Sequence, residues 1–178
     1  KRVRVFDVKA TQNNSTVIIN GSISDKESYK QLIEALDASS LSYVDSITLL
    51  PSPKIGDKCW AIVPLSVIYI YRQPGYTAEM VTQALMGTPV KVLDISHGFT
   101  QIQTPDGYIG WTDSNLDGIT LEERSAYNAK PKSIVLARNS VVYDKNSVLG
   151  NIVSNIVQGD ILSVGNDDGR FTSVTLPD

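Results

Sequence analysis

The chain has 178 residues, 42% of them hydrophobic and 20% charged, a globular balance that excludes a disordered polypeptide. Its net charge of −3 and pI near 5.1 argue against the basic face that a nucleic-acid partner requires. No apolar run approaches the roughly 18 residues of a membrane span, and a single cysteine, Cys59, excludes an intramolecular disulfide.

In chain order, residues 1–53 read as a small α+β unit. The opening KRVRVF has no apolar core behind it, which suits a cytosolic protein or a mature exported one. Val3, Val5 and Asp7 alternate with Arg4, Phe6 and Val8, as in a strand buried on at least one face. QNNS at 12–15 is turn chemistry and Thr16–Ile23 is a second strand, so a hairpin is expected. Ser24 and Glu27 have capping-box spacing for a helix whose Tyr29, Leu32, Ile33 and Leu36 share a face. Tyr43–Leu50 is a third strand, stopped by Pro51 and Pro53. The order β-β-α-β buries Leu32, Ile33 and Leu36 against a small sheet, and so short a unit leans on its neighbour.

Residues 55–118 are all-β by pattern. Ile62-Val63, Val67–Tyr71, Val90–Leu93, Phe99–Gln103 and Tyr108–Trp111 are short strands, the spacing of a small barrel. PDG at 105–107 predicts a tight hairpin, and Tyr108 and Trp111 are expected to close the core. Residues 119–132 are a helical connector, with Thr120 and Glu123 at capping-box spacing and Pro131 ending the helix.

Residues 133–178 are expected to be a second, incomplete copy of the barrel. VTQALMGTPVKVLDISHGFTQIQTPD aligns without a gap with VSNIVQGDILSVGNDDGRFTSVTLPD, 72 residues on. Val81 meets Val153, Gly87 meets Gly159, Phe99 meets Phe171 and Asp106 meets Asp178. The first copy continues into GYIGW and the second has no equivalent, which leaves a sheet edge unpaired. Ile161, Val164 and Val174 should then be only partly covered, and the chain is expected to be a fragment of a longer protein.

The run AEMVTQALMGTPVKVL, continued by GFTQIQTPDGYIGW, resembles the first bacterial SH3 domain of NlpC-type cysteine peptidases. These are envelope enzymes that cut γ-D-glutamyl–diamino-acid bonds in peptidoglycan stem peptides. The likeness extends through the connector LEERSAYNAKPK into the second copy. The N-terminal unit, ending in VDSITLLP, looks like the BON-like domain that precedes the SH3 pair in Bacteroidetes members. The resemblance implies a mainly β fold: a small β-β-α-β unit followed by two SH3-like barrels. It also implies a C-terminal cysteine peptidase domain beyond the second copy, and a place in the periplasm or cell envelope, lipid-anchored or free.

In that family the nucleophile sits in an Asp-Cys-Ser-Gly motif at a helix N-terminus, where its thiol pKa is lowered. Cys59, in GDKCWAIV, lacks that context and reads as a small residue at the barrel entrance. The one histidine, His97 in SHGF, reads as a solvated turn residue. No catalytic residue is therefore assigned, and no metal or cofactor is implied.

In relatives an acidic residue and a tyrosine of the first SH3 domain contact the free amino end of L-Ala-γ-D-Glu stems. By motif position these are Glu79 in AEMVTQ and Tyr108 in GYIGW. A carboxylate pairs with an ammonium, and a phenol adds a hydrogen bond and a wall. Glu79 can equally be a solvated loop carboxylate, and Tyr108 a core aromatic. The sequence also departs from its relatives. Tyr69-Ile70-Tyr71-Arg72-Gln73-Pro74 replaces their Asn-Leu-Arg-x-x-Pro, and Gly98-Phe99-Thr100 replaces Gly-Trp-Tyr. The first change moves a guanidinium one position along a strand, to the opposite face. Tyr69, Tyr71 and Tyr76 are either a ligand wall or sheet packing.

The resemblance thus implies a non-catalytic targeting and substrate-gating region that binds stem peptide beside a peptidase domain. The alternative is an envelope scaffold that binds peptidoglycan and has no enzyme domain. A polyproline-binding adaptor would need an acidic, aromatic groove signature that the sequence lacks.

Overall fold

The structure, a computed structural model, describes residues 2–177. At the N-terminus, β1 (Phe6–Asn13) and β2 (Thr16–Ile23) form an antiparallel hairpin turned at Asn14, whose φ is 54°. Helix α1 (Lys26–Ala38) then returns the chain so that β3 (Tyr43–Leu49) pairs parallel to β2, as a crossover connection requires. The hairpin needs a glycine: a Cβ on Gly21 would fall 1.9 Å from the Asp7 carbonyl oxygen.

Three local expectations are corrected here. The first strand begins at Phe6, and Phe6 and Val3 are exposed. Val5 is buried, but against Leu50, Leu93 and Ile109 rather than within the sheet. The helix cap is Asp25, which accepts from the Ser28 amide at 3.1 Å, whereas the Ser24 hydroxyl accepts from the Val5 amide at 2.9 Å. Leu32, Ile33 and Leu36 are half-buried, because a three-stranded sheet is too small to enclose a helix face. Two phenols tie α1 to β3: Tyr29 donates to Asp45 and Tyr43 to Asp37, each at 2.6 Å.

The middle of the chain folds into a six-stranded sheet. Its strands are β4 (Trp60–Ile62), β5 (Val67–Tyr71), β6 (Met80–Leu85), β7 (Pro89–Ser96), β8 (Phe99–Gln103) and β9 (Ile109–Thr112). Their order is β4-β7-β8-β9-β5-β6. The pattern reading omits β6, which ends the sheet and pairs only with β5, so its burial follows no clean alternation. The PDG hairpin forms as expected, with Gly107 at φ 84° donating to the Thr104 carbonyl at 2.8 Å. The closing side chains differ from expectation. Ile109 and Thr112 are fully buried, Trp111 is half-buried, and Tyr108 precedes the strand. Gly110 makes this possible, since a Cβ there would lie 2.4 Å from Ile70 Cγ2.

Helix α2 (Leu121–Ala129) carries the expected capping box between Thr120 and Glu123, and Pro131 follows its end. Arg124 stacks over Trp60 at 3.8 Å, and the Tyr127 hydroxyl donates to the Gly87 carbonyl at 3.3 Å. Five strands follow: β10 (Lys132–Ile134), β11 (Asn139–Tyr143), β12 (Ile152–Val157), β13 (Ile161–Asp167) and β14 (Thr172–Thr175). They recur at the sequence offset with the same neighbours and registers as β4 to β8. Trp60 faces Lys91 and Lys132 faces Ser163; both β5 and β11 shift register before their final tyrosine. Among the described residues nothing takes the place of β9, so β10-β13-β14 and β11-β12 form separate sheets. Ile161, Val164 and Val174 are half-buried, as anticipated. The last aligned pair, Asp106 with Asp178, ends outside the described residues.

The two β regions meet at equivalent turns. A Cβ on Gly87 would fall 1.9 Å from the Ile161 carbonyl oxygen, and one on Gly159 would fall 2.7 Å from Leu85 Cδ1. Ile161 donates its amide to the Met86 carbonyl at 3.0 Å. Met86 in turn donates to Asp160 Oδ1 at 3.2 Å, and Val157 to Asp160 Oδ2 at 2.8 Å. Asp160 is fully buried; burial pushes its carboxyl above the ordinary range, and the two amide donors oppose that.

Asp160→Ala should remove both acceptors and destabilise the chain by about 2–4 kcal/mol in urea unfolding. A loss under about 0.5 kcal/mol would show that the joint is held otherwise. The phenols give a pH signature. The Asp37 hydrogen bond pushes Tyr43 from 10.0 to about 12, so its stabilising effect is present below pH 10 and fades as pH rises toward 12. Ultraviolet titration should show this late phenol, and Tyr43→Phe should remove it.

Candidate functional site

The β5–β6 hairpin turns through Pro74 and Gly75 and brings Arg72 opposite Glu79. The Arg72 amide donates to the Glu79 carbonyl at 2.9 Å. Its Nε and Nη2 both reach Glu79 Oε2, at 2.8 and 2.7 Å. Both bonds fall on one oxygen, and among the described residues none falls on Oε1. The two side chains are about 60% exposed, so the pair contributes at most about 1 kcal/mol to stability. Its effect is to fix where the carboxylate stands.

Tyr108 lies next to this pair through Arg2. The Arg2 guanidinium donates to the Arg72 carbonyl at 3.1 Å, while the Arg2 carbonyl accepts from the Ile109 amide at 2.8 Å. Tyr108 is half-buried, and its own carbonyl accepts from the Thr104 amide at 2.9 Å. The Arg2 segment therefore links the Arg72 backbone to the Ile109 amide, next to Tyr108 in the chain.

An aromatic cluster involves the same β5–β6 hairpin. Phe99, buried at the start of β8, is met edge-on by Tyr71 at 6.1 Å and Tyr76 at 5.1 Å. Tyr71 is also the cross-strand partner of Trp111. Tyr69 is exposed and outside this cluster, so the rings that pack together are Tyr71, Tyr76 and Phe99 rather than the three tyrosines. A carboxylate with one oxygen free of hydrogen bonds among the described residues can pair with a small cationic group.

Cys59 and His97 do not meet. The Cys59 carbonyl accepts from the Val92 amide, and His97 lies five residues on, in the turn just past the end of β7, roughly 15 Å away at a strand's rise. His97 is exposed, has φ 52°, and its Nδ1 lies 2.8 Å from the Ser96 hydroxyl. Among the described residues no group of three or more His, Cys, Asp or Glu side chains could hold a metal. No described helix is long and apolar enough to cross a membrane.

Sequence reasoning missed Arg2, the Arg72–Glu79 pair and the central place of Phe99. Opposite charges flanking Pro74-Gly75 were the available signal for the pair. Arg2 offers none, because its contacts are distant in sequence.

Residues 70–115 match a family described as the bacterial dipeptidyl-peptidase SH3 domain, a stretch holding Arg72, Glu79, Phe99 and Tyr108. Among solved structures the chain is similar in fold to an NlpC/P60 family protein from Bacillus cereus ATCC 10987. That likeness has a TM-score of 0.55 and 18% identity, and covers 66% of this chain. The match covers 51% of the other chain, so this chain spans about half of its length. No curated protein matches the sequence.

Arg72→Ala should lower stability by no more than about 1 kcal/mol, the scale of an exposed ion pair. A larger loss in urea unfolding would mean that the pair holds the hairpin together rather than aiming a carboxylate.

Proposed function

We propose that this chain is a non-catalytic, cell-wall-directed binding region that receives the free amino end of a peptidoglycan stem peptide. The observation that supports the reading is that the SH3-domain match at 70–115 spans both Tyr108 and the Arg72–Glu79 pair. The chemistry agrees. An L-alanyl ammonium donates to Glu79 Oε1, the oxygen that Arg72 leaves open, in a charge-assisted bond. The Tyr108 hydroxyl donates to a peptide carbonyl, and the alanine methyl lies against the Phe99 cluster. In this reading the site works beside a cysteine peptidase domain of the same protein, in the periplasm or envelope, and admits only stems with a free amino end.

Calorimetric titration with L-Ala-γ-D-Glu-diaminopimelate tests it. Glu79→Gln should weaken binding about 10- to 100-fold, the scale of a hydrogen bond to a charged group. Tyr108→Phe should weaken it about 3- to 10-fold. Acetylating the peptide's amine should abolish binding, and alkylating Cys59 should leave it unchanged. Equal binding of free and acetylated peptide would refute the reading.

A further inference from the structure

The N-terminal sheet has the order β1-β2-β3, and its two outer edges differ. On β3 the Asp45 carboxylate folds back along its own strand and accepts from the Ile47 amide at 2.9 Å, which occupies that edge. The β1 edge is open. Val5 gives its carbonyl to the Ser24 amide at 3.0 Å and its amide to the Ser24 hydroxyl at 2.9 Å, so its backbone groups face β2. Backbone groups alternate in direction along a strand, which turns those of Phe6, Val8 and Ala10 away from β2. The strand has no proline and no bulge, and all eight of its residues pair one-to-one with β2. A straight, unprotected edge of this kind is a template for another strand.

We propose that this edge pairs antiparallel with the same edge of a second copy of the chain, about a twofold axis at Val8. The sequence Phe6-Asp7-Val8-Lys9-Ala10 is self-complementary in that register. Val8 faces Val8, Phe6 faces Ala10, and Asp7 faces Lys9. Phe6, Val8 and Ala10 exchange the backbone hydrogen bonds, since theirs are the groups that point outward. Asp7 and Lys9 form the pairs between those bonds, where Cα atoms approach to about 4.5 Å and side chains are closest. Both side chains are exposed and lie beside the neutral Ser22 and Asn20 of β2. Among the described residues neither has an ion-pair partner of its own. Moving the axis to Asp7 or to Lys9 sets Asp7 against Asp7 or Lys9 against Lys9. Charge therefore selects the register centred on Val8.

The other face of the strand fits by size. Ala10 pairs with Ile19 and Ile19 with Asp45, to which Tyr29 of α1 donates, so Phe6, Val8 and Ala10 lie on the helix side. Phe6 is 58% exposed there, and in the pair its ring stands opposite the small Ala10 of the other copy. The interface is short and buries less than the roughly 1,200 Å² of a stable complex, so the pairing is weak and reversible, with a Kd of about 0.1–1 mM. It does not depend on the stem-peptide reading, because none of its residues lies in the β4–β9 sheet.

Sedimentation and 15N amide shifts of the 178-residue chain, followed from about 20 μM to about 2 mM, test the proposal. Concentration-dependent shifts should centre on residues 6–10, and high salt should weaken the association at least about 3-fold. Asp7→Lys and Lys9→Asp each set like charges against each other, and either alone should weaken it at least about 10-fold. An equimolar mixture of the two variants should associate at least as tightly as the unsubstituted chain, because each then meets its opposite. Both positions are exposed, so the amide spectra of the variants should match the unsubstituted chain away from β1. Absence of concentration dependence would overturn the proposal, as would single variants that associate like the unsubstituted chain. So would a mixture that stays monomeric, or shifts centred on another edge.

Discussion

Strand β9 is four residues long, and the first half of the molecule depends on it. Its ladder joins β8 to β5, so one strand stitches the two halves of the six-stranded sheet together. Ile109 also enters the cluster of Val5, Leu50 and Leu93 that seats the N-terminal unit, and its amide holds the Arg2 carbonyl. The constraint behind these roles is steric. β9 crosses β5 so closely that only a glycine fits at Gly110, and the close crossing lets its neighbours reach both cores. The β-β-α-β unit buries few residues of its own, and the residues it shares with Leu93 and Ile109 anchor it.

The same constraint explains the contrast between the two β regions. Both build their sheets in the same registers, with the same irregularities before Tyr71 and Tyr143. Where β9 is present the sheet is continuous and its core residues are buried. Among the described residues the C-terminal strands form two sheets, and their core includes Met86 from the first region. The joint at Gly87, Gly159 and Asp160 links the two regions, with a buried carboxylate accepting from backbone on both sides of it. Two buried amide donors make this carboxylate sustainable where an unpaired one would not be.

The Arg72–Glu79 pair gains its geometry from the same architecture. Arg2 reaches Arg72 because Ile109 holds its carbonyl, and Arg72 places the Glu79 carboxylate by taking one of its two oxygens. An exposed ion pair adds little stability, so its contribution is orientation. The Phe99 ring is likewise held in place, met edge-on by Tyr71 and Tyr76.

What the sequence determined by itself was carried by short-range signals. The strand Thr16–Ile23, the turn at 104–108, the Thr120–Glu123 cap and the offset between Gly87 and Gly159 depend on residues within a turn or on direct self-comparison. Glu79 and Tyr108 were legible as candidates through motif position alone. Only the tertiary structure decided the rest. Asp25 caps α1 because Ser24 is engaged by Val5, and β6 forms because β5 is there to pair with it. Ile109 rather than Trp111 closes the core because of how β9 crosses β5, and Arg2 ties the Arg72 carbonyl to the Ile109 amide from far along the chain. Each of these depends on contacts between residues distant in sequence, whose energy no local pattern encodes.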